Sequence, residues 1–348
     1  MRITLGLVLL ACFSTNASAA GPEGDLTKLA EGVYAHLVEP DSNAVSNSGI
    51  VVLEHGVLVF DTHFTPEAGL ALKKAIESVT PKPVLFLVNS HYHPDHTHGN
   101  QVFQGVPYSI SSDNTRRDIL ERDLPAFNRA VGAAESQIEK MQKELPQEKD
   151  AGRREALRAQ IAMRQRLLAR MTRLRILAPC ITFEEKLSVM DGGREIPLRW
   201  LGVGHTDGDI IMYLPADRIV FAGDLFFNHA LPNSQDADFL EWMKTLEILL
   251  KLDADRFVPG HGPVGTRQDV EDFLGYMRDL RSLIEPAVTR GDTIEQVLAE
   301  VSVPARYSGY KFQDFFQANL QRMYAQLKAL QLEEASKEKP SSQKKPGP

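Results

Sequence analysis

The hydrophobic pattern changes period several times along the chain, and each change marks an element. Residues 32–38 and 49–61 alternate or run apolar, rich in Val, Ile and Leu, between turn residues, which predicts strands. Residues 66–79 take helical spacing, with Pro66 suited to a first turn. Residues 84–88 are apolar throughout, the pattern of a buried strand, and lead straight into Asn89-Ser90-His91. A loop leaving such a strand holds reactive side chains on a rigid support within reach of solvent. Strand signals return at 181–183, in a hairpin over 186–200 around Asp191-Gly192-Gly193, at 210–214, at 219–222 and at 256–259. Helices are predicted at 239–252, 267–290, 293–301 and 313–332, and no repeat of fixed period is present.

Residues 113–176 have a different pattern. Leu120, Leu124, Phe127, Val131, Ala134, Ile138, Met141 and Leu145 alternate spacings of four and three, an a/d heptad seam. Pro125 either kinks the run or marks a first turn. Pro146 breaks it, and Leu157, Ile161, Leu168 and Met171 form a second, less regular stripe. Together they predict an antiparallel helical hairpin, and the charged residues on its other faces predict that it protrudes. A two-helix coil buries little apolar area for its length. It is therefore expected to meet either a second copy of the chain or the rim of the active site, with a homodimer favoured.

Composition narrows the class. With 43% hydrophobic and 24% charged residues, 348 residues suit a soluble globular protein whose core needs no disulfide. A net charge of −7, with no Lys/Arg cluster noted beyond four lysines in the last dozen residues, argues against a nucleic-acid partner. Residues 1–20 read as an export signal: Arg2, an apolar stretch over 3–13, and Ala17-Ser18-Ala19 before a cleavage point. This predicts a periplasmic or secreted protein without stable membrane insertion; an uncleaved anchor or a lipid-modified Cys12 are the alternatives. Cys180 is then the one remaining cysteine. Domain boundaries follow at 21–332, with 333–348, rich in Lys, Ser, Pro and Gly, as a disordered tail.

The chemistry gathers in His91-Tyr92-His93-Pro94-Asp95-His96, four metal-binding side chains within six residues. They cannot share one helix face, but on a loop at a strand end they can splay around two neighbouring ions. Imidazole and carboxylate suit zinc. The run resembles the HxHxDH signature of the metallo-β-lactamase superfamily. Gly204-His205-Thr206, Phe221-Ala222-Gly223-Asp224 and Pro259-Gly260-His261-Gly262 resemble that family's later elements, in order.

The resemblance implies a four-layer αββα sandwich of the α/β class, carrying the helical hairpin as an insertion. It implies two zinc ions per chain: His91, His93 and His205 on one, Asp95, His96 and His261 on the other, and Asp224 between them. Asp61 matches the family's early strand-end aspartate. Asp95 is the expected catalytic residue, orienting a shared hydroxide and shuttling its proton. His36 and His55 are expected to be structural or exposed. His63, His98 and His229 would line the pocket or support a ligand, and Asp209, rather than Asp207, would orient one.

Two zinc ions make hydroxide available near neutrality and polarise a scissile oxygen, so no serine or cysteine nucleophile is needed. The expected activity is hydrolysis of an ester, lactone, thioester or amide bond in a small-molecule substrate. The alternatives are a dedicated β-lactamase and an iron-dependent redox enzyme on the same scaffold. Asp224 stands where one large group of β-lactamases has cysteine, and residues 225–229 lack the lysine many of them use for the substrate carboxylate. The motifs together resemble a group of periplasmic metallohydrolases, some linked to quinoprotein systems.

Overall fold

The computed structural model describes residues 24–39 and 42–337. The expected signal segment lies outside them. The first sheet has seven strands in chain order: β1 (Asp25–Ala30), β2 (Val33–Leu37), β3 (Ser48–Val52), β4 (Val57–Phe60), β5 (Val84–Val88), β6 (Tyr108–Ser112) and β7 (Ile181–Phe183). It is antiparallel from β1 to β4 and parallel from β4 to β7. The second sheet has five: β8 (Lys186–Asp191), β9 (Arg194–Trp200), β10 (Ile210–Leu214), β11 (Ile219–Phe227) and β12 (Arg256–His261). Only its last pair, β11 with β12, is parallel.

The helices are α1 (Pro66–Val79), the single turn α2 (Pro94–Thr97), α3 (Asp113–Asp118), α4 (Leu124–Glu144), α5 (Ala151–Met171), α6 (Phe239–Leu249), α7 (Arg267–Arg290), α8 (Ile294–Glu300) and α9 (Phe315–Lys337). The last runs five residues into the segment expected to be tail, and residues 338–348 lie outside the described residues.

Burial sorts these elements into the expected four layers. Alternate residues of the two sheets, Leu58, Phe60 and Val88 against Leu198, Met212 and Phe221, fill the space between them. On the outer face of the first sheet, Ile50, Val59 and Leu87 pack beneath Leu72 and Ile76 of α1. On the outer face of the second, Ile211, Val220 and Phe257 lie in one cluster with Trp242 of α6, Phe273 and Met277 of α7, and Leu320 and Met323 of α9. Parallel strands buried on both faces read as unbroken apolar runs, which is why 84–88 carries no alternation.

The helical hairpin is the crossover between the parallel neighbours β6 and β7. Its first arm runs unbroken from α3 through one wide π-type turn (Ile119–Asp123) into α4, where the Leu124 amide donates to the Ile119 carbonyl. Pro125 has no N–H to return to the preceding turn, and a single wide turn absorbs the defect without ending the helix. That turn also corrects the expected seam: Leu120 is rotated outward and 42% exposed, and the buried stripe begins later, with Phe127, Ala134 and Ile138. On the second arm Leu167, rather than Leu168, joins Ile161 and Met171 as the buried set. Phe64, Phe127, Leu167, Met171 and Leu174 seal the base. Beyond it the arms pair chiefly with each other.

Candidate metal centre

Four chain segments bring the candidate ligands to one end of the sandwich. His91, His93, Asp95 and His96 follow β5, the last two on α2; His205 sits between β9 and β10; Asp224 lies within β11; His261 ends β12. Two glycines make the approach possible. Gly223 adopts φ 52°, and the register of β11 against β12 slips around it, turning Asp224 inward. A Cβ on Gly260 would lie 1.8 Å from Asp224 Oδ1, so only glycine fits there.

The side chains form two sets. His93 Nδ1 lies 3.0 Å from His91 Nε2 and 2.9 Å from His205 Nε2. Asp224 Oδ2 is 3.2 Å from His205 Nε2, completing a buried group of four. In the second set, His261 Nε2 lies 3.3 Å from Asp95 Oδ2, and His96 Nε2 lies 3.6 Å from the same oxygen. Asp224 reaches this set too, with Oδ1 3.1 Å from His96 Nε2 and Oδ2 3.4 Å from His261 Nε2. All seven predicted ligand residues therefore converge, with Asp224 between the two sets.

The outward ring nitrogens explain why the inward ones are ligand atoms. His96 Nδ1 donates to Asp61 Oδ2 at 2.8 Å, and Asp61 also accepts from the Ser90 amide and hydroxyl, each at 2.7 Å. His261 Nδ1 donates to the Val45 carbonyl at 3.1 Å. His93 Nε2 donates to Asp236 Oδ2 at 3.1 Å. His93 therefore turns a lone pair at Nδ1 inward, where His91 Nε2 and His205 Nε2 stand about 3 Å away, an array that a cation would satisfy. His96 Nε2 and Asp224 Oδ1 face each other at 3.1 Å without hydrogen-bond geometry, and neither has a hydrogen-bond partner elsewhere among the described residues. The donor set therefore fits metal ions.

The charges of the clustered groups are tightly linked. Burial keeps His91 neutral, well below the usual imidazole range, and His205 is lowered to about 3, chiefly by burial. For His96 burial opposes charge, but Asp224, Asp61 and Asp95 outweigh it and hold the ring well above its ordinary value. Burial would raise Asp95, yet His96 and His261 bring it to about 2.

The other predicted residues take supporting places. Asp209 accepts from the Thr206 amide and hydroxyl, each at 2.7 Å, so it fixes the loop that carries His205 rather than the ring itself, and burial pushes it up to about 7. Asp207 instead pairs with Arg117 on the surface. His36 and His63 form a buried pair at 2.8 Å, and His63 also reaches the Ser46 carbonyl. His98 pairs with Asp123 at the hairpin base, away from both ligand sets. His229 is exposed beside Tyr310, and His55 is exposed and paired with Asp191. Among the described residues, positive φ at non-glycine positions falls mainly here: Val45, Asp61, His63, His229 and Phe312, with Arg218 the exception. Such conformations persist only where surrounding contacts over-determine them.

Sequence reasoning missed Asp236. It accepts from Tyr92 OH at 2.5 Å as well as from His93, and it pairs with Arg122 of the hairpin. Burial opposes its charge, but His93, Tyr92 and Arg122 hold it well below the usual carboxylate range. Nothing in the polar stretch Asn233-Ser234-Gln235-Asp236 marks it, because the contact that matters is 143 residues away. Asp236→Asn is expected to weaken metal binding by roughly ten- to hundredfold, as loss of a ligand-orienting partner does. Chelator competition measures it, and an unchanged affinity would remove Asp236 from the site.

The arrangement is a buried His/Asp cluster, able to hold metal ions, at one end of an αββα sandwich. A family model of the metallo-beta-lactamase superfamily matches residues 43–107 and 129–261, and the chain belongs to that superfamily. It is 24% identical to a linear primary-alkylsulfatase of Pseudomonas sp. over 275 residues, 73% of this chain but 49% of that protein. It is also 24% identical to a metallo-beta-lactamase type 2 of Pseudomonas aeruginosa, over 70% of this chain and 80% of that one. The chain thus spans about half the length of the alkylsulfatase. Among solved structures, a metallo-beta-lactamase from Pontibacter korlensis superposes with a TM-score of 0.54 at 21% identity, covering 73% of this chain and 99% of that one. The FIM-1 enzyme of Pseudomonas aeruginosa, in its mono-zinc form, gives 0.53 at 17% identity, over 74% and 95%.

Proposed function

We propose that the chain is an exported dinuclear zinc hydrolase that cleaves an ester, lactone, thioester or amide bond. The observation that carries this reading is the Asp224 carboxylate standing between two complete ligand sets, with Oδ2 facing His205 and His261. Bound there, two zinc ions supply Lewis acidity, making water acidic enough to attack near neutrality and drawing charge from the scissile group. Asp95 is the chain's own contribution to the reaction. Its side chain is 19% exposed, so a substrate can reach it, whereas Asp224 is 4% exposed. As a carboxylate at the edge of the cluster it can accept a hydrogen bond from the attacking water and so orient it. Asp61, Asp236 and the Val45 carbonyl keep the ligand rings turned inward while this happens.

Aspartate at the shared position and a following loop without lysine favour an ester, lactone, thioester or open-chain amide over a β-lactam. The reading of residues 1–20 as a signal supports a periplasmic or secreted location. The test is metal analysis of the purified protein, then a panel of p-nitrophenyl acetate, an acyl thioester, an acyl lactone, nitrocefin and dodecyl sulfate. Zinc-dependent turnover of the ester, thioester or lactone is expected. Nitrocefin as the best substrate would make the protein a β-lactamase, dodecyl sulfate would make it a sulfatase, and iron as the native metal would overturn the zinc assignment.

A further inference from the structure

The second arm of the hairpin carries a charge that the fold does not explain. Between residues 151 and 176 there are eight arginines and one glutamate, a net +7 in a chain whose total is −7. Interleaved with apolar and small residues, these arginines form no contiguous run in the sequence. On α5 they become a surface. Arg153, Arg158, Arg166 and Arg170 are exposed, and Arg173 follows just beyond the helix end. Arg153, Arg154, Arg166 and Arg173 make no ion pair among the described residues, and the Arg158–Glu155 pair is long, at 3.4 Å, and exposed.

Helix stability does not account for the pattern. Arg153 and Arg154 occupy the first turn, where the helix dipole disfavours cations. Arg154 with Arg158, and Arg166 with Arg170, place like charges four residues apart, which costs a few tenths of a kcal/mol each. Among the described residues, acidic residues of other elements meet the arm only along its base and inner side, through Glu67 opposite Arg170 and through Glu135 and Glu139 of α4, and not on its outward face. A symmetric contact of α5 with a second copy would set arginines against arginines.

We infer that the outer face of α5 is a docking surface for anionic lipid headgroups. Twenty-one helical residues give a line about 30 Å long. Along it the exposed arginines are separated by Ala156, Ala159, Ala162 and Ala169, side chains too short to hold guanidinium groups off a flat array of phosphates. Met163, 48% exposed, adds one apolar contact. The arm has no aromatic residue on which a nucleic-acid base could stack. Its low overall hydrophobicity suits adsorption to headgroups rather than burial in the acyl layer.

Cosedimentation of the full chain with vesicles of phosphatidylcholine, with and without phosphatidylglycerol, tests this. A hydrophobic leader, where retained, would hold both vesicles alike, so the difference between them is the readout. Binding that requires phosphatidylglycerol and falls as salt is raised is expected. The triple variant Arg158→Gln, Arg166→Gln and Arg173→Gln should lose about a hundredfold in that affinity, roughly fivefold per arginine, with its melting curve and metal content unchanged. Lys251→Gln, Arg278→Gln and Arg281→Gln together make the same charge change away from the hairpin and should lose far less. Equal binding to both vesicle types, or equal losses in the two triple variants, would overturn the inference. So would tighter binding to duplex DNA at the same salt, or a dimer by light scattering that the α5 variant abolishes.

Discussion

Asp224→Ala is expected to leave a folded protein that no longer holds two metals and has lost turnover. Asp224 is the one side chain that both ligand sets share. Its loss removes a ligand from each set. A lost orienting partner alone costs roughly ten- to hundredfold in affinity, so a lost shared ligand should cost at least the upper figure at each position. Elemental analysis after dialysis, beside single-turnover rates on the best panel substrate, measures both effects. Two tightly held metals with ordinary turnover in this variant would mean that the sets do not act as one centre.

Asp95→Asn separates chemistry from metal holding. The amide keeps the shape of the carboxylate but ligates zinc poorly and presents an N–H where the attacking water needs an acceptor. Turnover should fall by on the order of a hundredfold or more, the range of a positioned acid–base group. The metal in the set of His91, His93 and His205 should stay, because Asp95 does not belong to it. An unchanged kcat at full metal content would contradict the role given to Asp95.

How far the sequence reveals this molecule depends on which signals are local. The bounds of α1 and β5 follow from Thr65 and Pro66 at the start of one and the five apolar residues of the other. The ligand motifs are short and contiguous, so the residues that converge on the centre could be named from the sequence. Two strands were not legible. β1 carries Asp25, Thr27 and Lys28 on a sheet edge, and β6, Tyr-Ser-Ile-Ser-Ser, is poor in apolar residues although it lies between β5 and β7. Ser111 and Ser112 are buried there because their hydroxyls are hydrogen-bonded, the Ser112 hydroxyl reaching the Gly208 carbonyl, and periodicity does not register that. The wide turn at Ile119–Asp123 and the grip of Asp236 on His93 are likewise tertiary facts, set by packing and by contacts far apart in the chain.

The centre draws on both halves of the sandwich. His91, His93, Asp95 and His96 hang from the first sheet, and His205, Asp224 and His261 from the second. Metal bound among them would act as a clasp between two sheets otherwise joined by an apolar interface and a few hydrogen bonds, such as those from Asn47 to the Pro259 and Gly260 carbonyls. Opening the sandwich would release the ions, so by mass action their supply in the surroundings adds directly to the stability of the fold. A protein so fastened would respond to metal starvation twice, losing its reactive centre and loosening its architecture in the same event.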